Sequence, residues 1–328
     1  MRALERIDTG EIRDLLDRDE FFWLDVVSPS DEQIDELAEM LDWHHLAVED
    51  VKEFHQRPKL DTYRTHALLV FYGVHAPEAS LVEVHVFVSG GWLVTVRHSP
   101  CDHLEQRRAR VVEGEPPPTE EDVVYCALDA LTDSFFPVIH EAEDEIEDLE
   151  EQIVAAPHQD QLSRALGLRR AIGPARRVAE DQRDLFSDVH SVLDRIPGLE
   201  TSDEAAASFA DVSDHLHKIA DQLDSLRDRL VGALQLYGSM SDNRLNMITE
   251  RLTLVATVFL PLTFTVGFFG QNFGWMVRHV DSFGGFLLWG IVVGEIVPLV
   301  LIYALFRRAG WLKRPVVSPA RRKRDHED

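Results

Sequence analysis

The sequence predicts an N-terminal α/β domain, a long stalk helix and two C-terminal transmembrane helices. Three observations carry this reading. Residues 1–118 alternate buried-strand runs with amphipathic helical stripes, and residues 119–251 hold helical patterns only. Residues 252–269 and 283–306 are apolar runs, each close to the ~20 helical residues that cross a bilayer core.

In chain order, Phe21-Phe22-Trp23-Leu24-Asp25-Val26-Val27 reads as a buried strand, and Ser28-Pro29-Ser30-Asp31-Glu32 as a helix start with an acidic first turn. Ile34, Leu37, Met40 and Leu41 continue that helix at a 3.6-residue period. Residues 67–74, 81–88 and 92–96 read as strands, with Gly90-Gly91 turning between the last two. Helices are expected on the sheet faces. After Pro116-Pro117-Pro118 a helix is expected over 120–155, carrying Ile139, Ile146, Leu149 and Ile153 at helical spacing. Pro157 or its neighbours end it, a second helix is expected over 159–193, and Ile196-Pro197-Gly198 breaks again. From Asp203 to Gly270 only isolated glycines and Pro261 interrupt the helical pattern, a length of roughly 100 Å at 1.5 Å per residue. The expected segments are 1–118 (α/β domain), 119–200 (helical hairpin), 201–251 (stalk), 252–270 (first span), 271–282 (outer loop), 283–306 (second span) and 307–328 (basic tail).

Charge sets the orientation. The chain carries −25 in all, and the tail from Arg307 holds eight Arg and Lys against three acids. With Glu295 counted apart, residues 1–251 therefore carry −29. Basic residues beside a span stay cytoplasmic, which places the C-terminus inside, and two spans return the N-terminal domain to the same side. The first residues lack an apolar signal segment, so no cleaved leader is expected. Cys101 and Cys126 are the only cysteines, which fits a reducing compartment. So acidic a domain attracts cations and has no affinity for nucleic acid.

Stepping by three and four from Asn246 gives Thr249, Thr253, Ala256, Leu260, Thr263, Gly267 and Gly270, nearly all small or polar. Such a stripe either packs helices closely or lines a pore. Glu295, a carboxyl within the second span, is either a proton-coupling group or a protonated acid packed between helices. His98, Cys101 and His103 have a spacing that could hold zinc, without a fourth ligand nearby. No phosphate-binding glycine loop, nucleophile elbow or Walker-like motif is present, so an enzyme is not expected.

Residues 237–272 resemble the CorA family of divalent-cation channels. The likeness rests on Asn243, Asn246, Leu252-Thr253, Ala256-Thr257, Phe259, Pro261-Leu262-Thr263-Phe264, Gly267 and the final Gly270-Gln271-Asn272. Phe209-Ala210-Asp211-Val212-Ser213-Asp214-His215 is similar to the family's motif at the start of its stalk helix. The segment from Ala47-Val48-Glu49-Asp50 to Gln56-Arg57-Pro58-Lys59 is similar to its N-terminal domain. The resemblance implies a homopentameric funnel in the cytoplasmic membrane, with both termini cytoplasmic and five first spans lining a pore.

It further implies a filter at Gly270, Gln271 and Asn272, a hydrated-ion ring at Asn246, and apolar constrictions at Leu252 and Leu260. A regulatory divalent site between neighbouring protomers is implied at Asp211, with Asp214 close by on the same helix; its partner carboxylate in the N-terminal domain is not identified from the sequence. Mg2+ is the implied ion, with Zn2+ or Co2+ as alternatives. Gln271 stands where magnesium channels of the family typically have methionine. Phe273-Gly274-Trp275-Met276-Val277-Arg278-His279 replaces an acidic stretch, and Gln235 an acidic ring position. Two other readings share the scaffold: a proton-coupled zinc or transition-metal importer, and a non-conducting metal sensor tethered to the membrane.

Overall fold

A computed structural model describes residues 2–4, 6–75, 79–113, 119–199, 202–270 and 274–308. The chain divides into two compact bodies, residues 1–240 and 241–328.

The first body is built on a mixed six-stranded sheet of order β1-β2-β6-β5-β4-β3. β1 (Arg2–Leu4), β2 (Phe22–Val27) and β6 (Trp92–Arg97) run parallel. β5 (Ser80–Ser89), β4 (Ala67–His75) and β3 (Lys59–Thr62) continue antiparallel. The central strands are apolar on both sides because both faces are covered. Phe22, Leu24 and Val26 pack under α1 (Thr9–Asp17), α2 (Asp31–Met40) and α3 (His45–Lys52). Trp23 points the other way, into a core shared with α4 (Asp102–Val112) and α5 (Glu120–Asp133). The start of α2 is a capping box: the Ser30 hydroxyl accepts from the Gln33 amide and the Gln33 side chain accepts from the Ser30 amide.

The helices expected over 120–155 and 159–193 are each divided. Ser134 separates α5 from α6 (Phe135–Ala155). Its hydroxyl accepts from Val74 N (2.7 Å) and donates to Leu131 O (2.5 Å), tying the junction to β4. Gly73 permits this approach, since a Cβ there would lie 2.9 Å from the Leu131 side chain and 3.0 Å from the Ser134 hydroxyl. The next helix, α7 (Gln159–Leu185), stops where the buried Phe186 turns edge-on to Phe71, and α8 (Val189–Leu193) follows. α9 begins at Asp203 and runs to Phe269 as one 67-residue helix. Its Phe209, Val212 and Leu216 enter the sheet core, and Ile219, Leu223, Leu226 and Leu230 form a helical core with α6 and α7. Residues of the segments expected at 1–118, 119–200 and 201–251 contribute to shared cores of the first body, which ends at residue 240.

His66 is fully buried, ringed by Tyr63 (5.0 Å), Phe87 (6.1 Å) and Trp92 (6.2 Å). Burial, helped by the nearby His44, pushes its imidazole down to about 4. An unfolded histidine takes its proton near 6.5, so between about pH 6.5 and 4 the unfolded chain binds more protons. Stability is therefore full above about pH 6.5 and falls as the pH drops through that window, by ~2–3 kcal/mol from this group. Denaturant unfolding at pH 7 and 4.5 should show His66→Gln losing less stability on acidification than the parent by about that amount. Equal losses would contradict it.

In the second body, α9 ends at Phe269 and α10 (Gly274–Val280) follows. A continuous helical run then comprises α11 (Phe283–Gly285), a π-helical stretch Phe286–Ile296 and α12 (Val297–Arg308). Among the described residues three helices are long and apolar enough to cross a membrane. For residues 120–155 the apolar window is 61% buried by the sheet and its neighbours, which accounts for its hydropathy. In the other two, at the end of α9 and over 283–308, 0% and 6% of the window is buried.

Candidate functional site

The described residues bring one set of three metal-ligating groups together, and it lies where α5 meets α9. On α5, Val124, Leu128 and Leu131 face the sheet core, which turns Tyr125, Asp129 and Asp133, spaced by four, along one flank. On α9, Phe209, Val212 and Leu216 do the same for Asp211 and His215. The two flanks meet. Tyr125 donates its hydroxyl to Asp211 Oδ2 (3.4 Å). His215 Nε2 stands 3.8 Å from Asp211 Oδ1, and Nδ1 stands 3.4 Å from Asp133 Oδ1 and 3.9 Å from Asp129 Oδ1. Phe136 closes the side edge-on to the His215 ring at 5.7 Å.

One ligand atom from each of Asp129, Asp211 and His215 lies within 4.8 Å of the others. Opposed ligands at ~2.0–2.4 Å from a divalent ion stand about 4–4.8 Å apart, so the set is spaced to close on one ion. Without an ion the arrangement is electrostatically unfavourable. Burial, then the charge of Asp133, pushes the Asp129 carboxyl up to about 6, against the opposing pull of His215 and Arg107. The Tyr125 hydroxyl is pushed up to about 12 by burial and by Asp129 and Asp211. His215 Nδ1 is buried without a hydrogen bond. A cation between these groups would relieve all three.

Asp211, expected from the sequence at a site between protomers, here stands with Asp129 and His215 of its own chain, with Asp133 and Tyr125 adjoining. Asp214 is exposed and stands outside the cluster. Asp129 was legible in principle: Tyr125, Asp129 and Asp133 form a polar row with a four-residue period on an otherwise apolar helix. Among the described residues His98, Cys101 and His103 do not assemble; Cys101 is fully buried and its thiol is pushed up by burial, and His98 is exposed, its ring tilted against Phe54 at 3.9 Å. The acidic run 141–151 is partly paired, Glu145 and Asp148 with Arg164 (both 3.0 Å) and Glu150 with Arg229 (3.2 Å).

In the second body, Asn246, Thr249, Leu252, Thr253, Ala256, Leu260, Thr263 and Gly267 are all exposed on α9. The half-buried side carries Leu254, Val258, Pro261 and Thr265. Thr257, Thr263 and Thr265 donate their hydroxyls to the carbonyls four residues back (2.6, 2.8 and 2.9 Å), which satisfies them without water. Gly270 is the last described residue of this segment; Gln271 and Asn272 lie outside the described residues. Glu295 is half-buried within the π-helical stretch, next to the buried Gly294. π-Helical turns are rare and recur at functional positions.

Known proteins share this organisation. The cobalt/magnesium transport protein CorA of Thermotoga maritima is 28% identical over 286 residues, 85% of this chain and 80% of that protein. The zinc transport protein ZntB of Yersinia enterocolitica is 28% identical over 232 residues, 70% of this chain and 69% of that protein. The structure of the CorA magnesium transporter from Methanocaldococcus jannaschii superposes with a TM-score of 0.74 at 20% identity, covering 88% of this chain and 91% of that one; it shares the fold. The family described as CorA-like Mg2+ transporter protein matches residues 18–308, and the chain belongs to it.

Proposed function

We propose that this protein is a homopentameric channel that admits Mg2+ across the cytoplasmic membrane, driven by the membrane potential and throttled by internal divalent cations. The observation that carries the reading is the apolar end of α9. Its span-length window has a mean hydropathy of 1.6 and is 0% buried, yet a row of small and polar residues runs along the exposed side. An apolar helix needs lipid or other helices around it, and a polar row on it needs neighbours or water. Copies arranged about an axis meet both needs: Thr249, Thr253, Ala256, Thr263 and Gly267 face the axis, and the helix 283–308 lies outside toward lipid. Both termini are then cytoplasmic, as the basic tail argues.

Asn272, with Gly270 and Gln271, forms the outer filter in this reading. Mg2+ gives up water reluctantly and holds a strict octahedron, so neutral amide and carbonyl oxygens suit a hydrated ion and still release it. Asn246 supplies a second hydrated-ion ring, and Leu252 and Leu260 form constrictions that gate by dewetting. The Asp129–Asp211–His215 cluster is the regulatory site. An ion there favours the arrangement of α5 and α9 that holds its ligands together, so high internal cation shifts the population toward the closed channel.

A second reading, a proton-coupled importer of Zn2+ or Co2+, is favoured by two observations. An imidazole in the cluster suits these ions better than Mg2+, and Glu295 offers a half-buried carboxyl inside the second span. Flux into liposomes across a cation panel, with and without a proton gradient, separates the two. The first reading predicts Mg2+ flux indifferent to the gradient and to Glu295→Gln. Zinc flux that grows with the gradient and falls at least about tenfold in Glu295→Gln would overturn it in favour of the second.

A further inference from the structure

Cation transport leaves one basic feature of the first body without a role. Where α7 and α9 pack through Ile172 and Leu230, a groove of about 320 Å³ opens beside the seam. Arg169, Gly173, Arg176 and Arg177 line it from α7 and Arg227 from α9, over an apolar floor that includes Leu230. Four guanidinium groups and no carboxylate are among the residues lining this space, in a region of the chain that carries −29.

Two other arginines of α7 are matched by acids, Arg164 by Glu145 and Asp148 (both 3.0 Å) and Arg183 by Asp184 (2.9 Å), whereas the exposed Arg170 outside the groove makes no ion pair among the described residues. In the groove only Arg176 is so matched, by Glu180 (2.7 Å) and Asp224 (2.9 Å), which fixes its head. Arg169 and Arg177 make no ion pair or hydrogen bond among the described residues, and Arg227 only approaches its exposed neighbour Asp228 at 3.9 Å. Arg169 and Arg177 lie eight residues apart on one helix face, about 12 Å along the axis, with Gly173 midway.

Gly173 is not required by packing. A Cβ built there meets nothing within 4 Å, and a mid-helix glycine is less favourable than alanine. Its missing side chain leaves the space between the arginines open. Pro174 follows inside α7 and removes one backbone hydrogen bond there.

We propose that this groove binds an oligophosphate anion. Guanidinium forks donate paired N–H groups to phosphate oxygens, and a ligand with several linked phosphates can reach both unpaired arginines, Arg169 and Arg177, which a single phosphate would have to serve across about 12 Å of helix. The volume falls at the small end of ligand sites, which run from about 300 to 1,000 Å³. An inorganic oligophosphate or the phosphate tail of a nucleotide carries this chemistry in solution, and a phospholipid headgroup carries it at a membrane. The groove's charge favours the soluble oligophosphate. The site is separate from the cation cluster, so its test does not depend on the transport reading.

The test is calorimetric titration of the full-length chain in neutral detergent, freed of divalent cations on a chelating resin, with sodium tripolyphosphate and with ATP. Saturable binding of both probes is expected, weakening as salt is raised. Arg169→Gln combined with Arg177→Gln should weaken it by at least about tenfold. Gly173→Leu, which keeps every charge but fills the groove, should do the same while leaving the unfolding midpoint of the unliganded protein within a few degrees. Absence of binding at ~1 mM probe, or unchanged affinity in Gly173→Leu, would overturn the proposal. So would binding to phosphatidylglycerol vesicles through Arg169 and Arg177 that tripolyphosphate does not displace, because it would assign the groove to a lipid headgroup.

Discussion

Replacing Asn272 by alanine is expected to reduce cation flux by at least about a hundredfold while the protein still assembles. In a pentamer the substitution removes five amide oxygens that would hold the hydration shell of the entering ion. Hydrogen bonds to charged groups are each worth about 1.5–3 kcal/mol, and every 1.4 kcal/mol is tenfold in an equilibrium, so even two lost contacts reach that factor. In sequence the position follows α9, and it is not among the residues that form the cores of the first body. Size-exclusion elution and the unfolding midpoint should therefore match the parent. Flux within a few-fold of the parent in Asn272→Ala would remove the filter assignment.

The second large effect concerns the cluster between α5 and α9. Mg2+ or Co2+ should raise the unfolding midpoint of the protein, and removing the ion with a chelator should reverse the shift. Occupancy at a hundred times the dissociation constant contributes ~2.7 kcal/mol, which for a body of this size is several degrees. Asp129→Asn should behave in two opposite ways. With cation absent it should raise the midpoint, because at neutral pH the parent holds an ionised Asp129 whose carboxyl is pushed up to about 6, above its ordinary 3.8. The relief is at most about 3 kcal/mol, the free-energy equivalent of such a shift. With cation present the variant should gain little, since a ligand is lost. Asp211→Asn should lose the response as well, and Asp214→Asn should keep it. A cation shift that survives in Asp129→Asn and Asp211→Asn, measured by differential scanning fluorimetry in detergent, would place the stabilising ion elsewhere.

Much of the fold was legible because apolar runs bounded by turn residues report buried strands directly. β2 and β4 to β6 fall where Phe21–Val27 and the three later runs place them, to within a residue or so. β1 and β3 did not announce themselves. Arg2–Leu4 is three residues long, and Lys59-Leu60-Asp61-Thr62 is a polar edge strand held by pairing with β4. The break at Ser134 carries no glycine or proline; its cause is tertiary, a hydroxyl bonded to β4. The end of α7 is likewise set by the burial of Phe186 against Phe71.

The candidate site was legible by halves. Asp211 stands in a recognisable motif, whereas Asp129 lies some eighty residues earlier on a helix whose apolar residues dominate the pattern. Only the packing of α5 on α9 brings the two carboxylates and His215 together. The groove at Gly173 was invisible for a related reason: its arginines come from two helices, and the sequence shows only that α7 is rich in basic residues.

The proposed function rests on Mg2+ passing through a pore lined by α9. The most direct test is Mg2+ entry into liposomes holding the purified protein and a fluorescent indicator, with the inside-negative potential set by a potassium gradient and valinomycin. Entry should rise with the potential, stay unchanged when a proton gradient is imposed or collapsed, and be lost in Asn272→Ala. No Mg2+ entry at any potential, in vesicles shown to hold assembled protein, would contradict it.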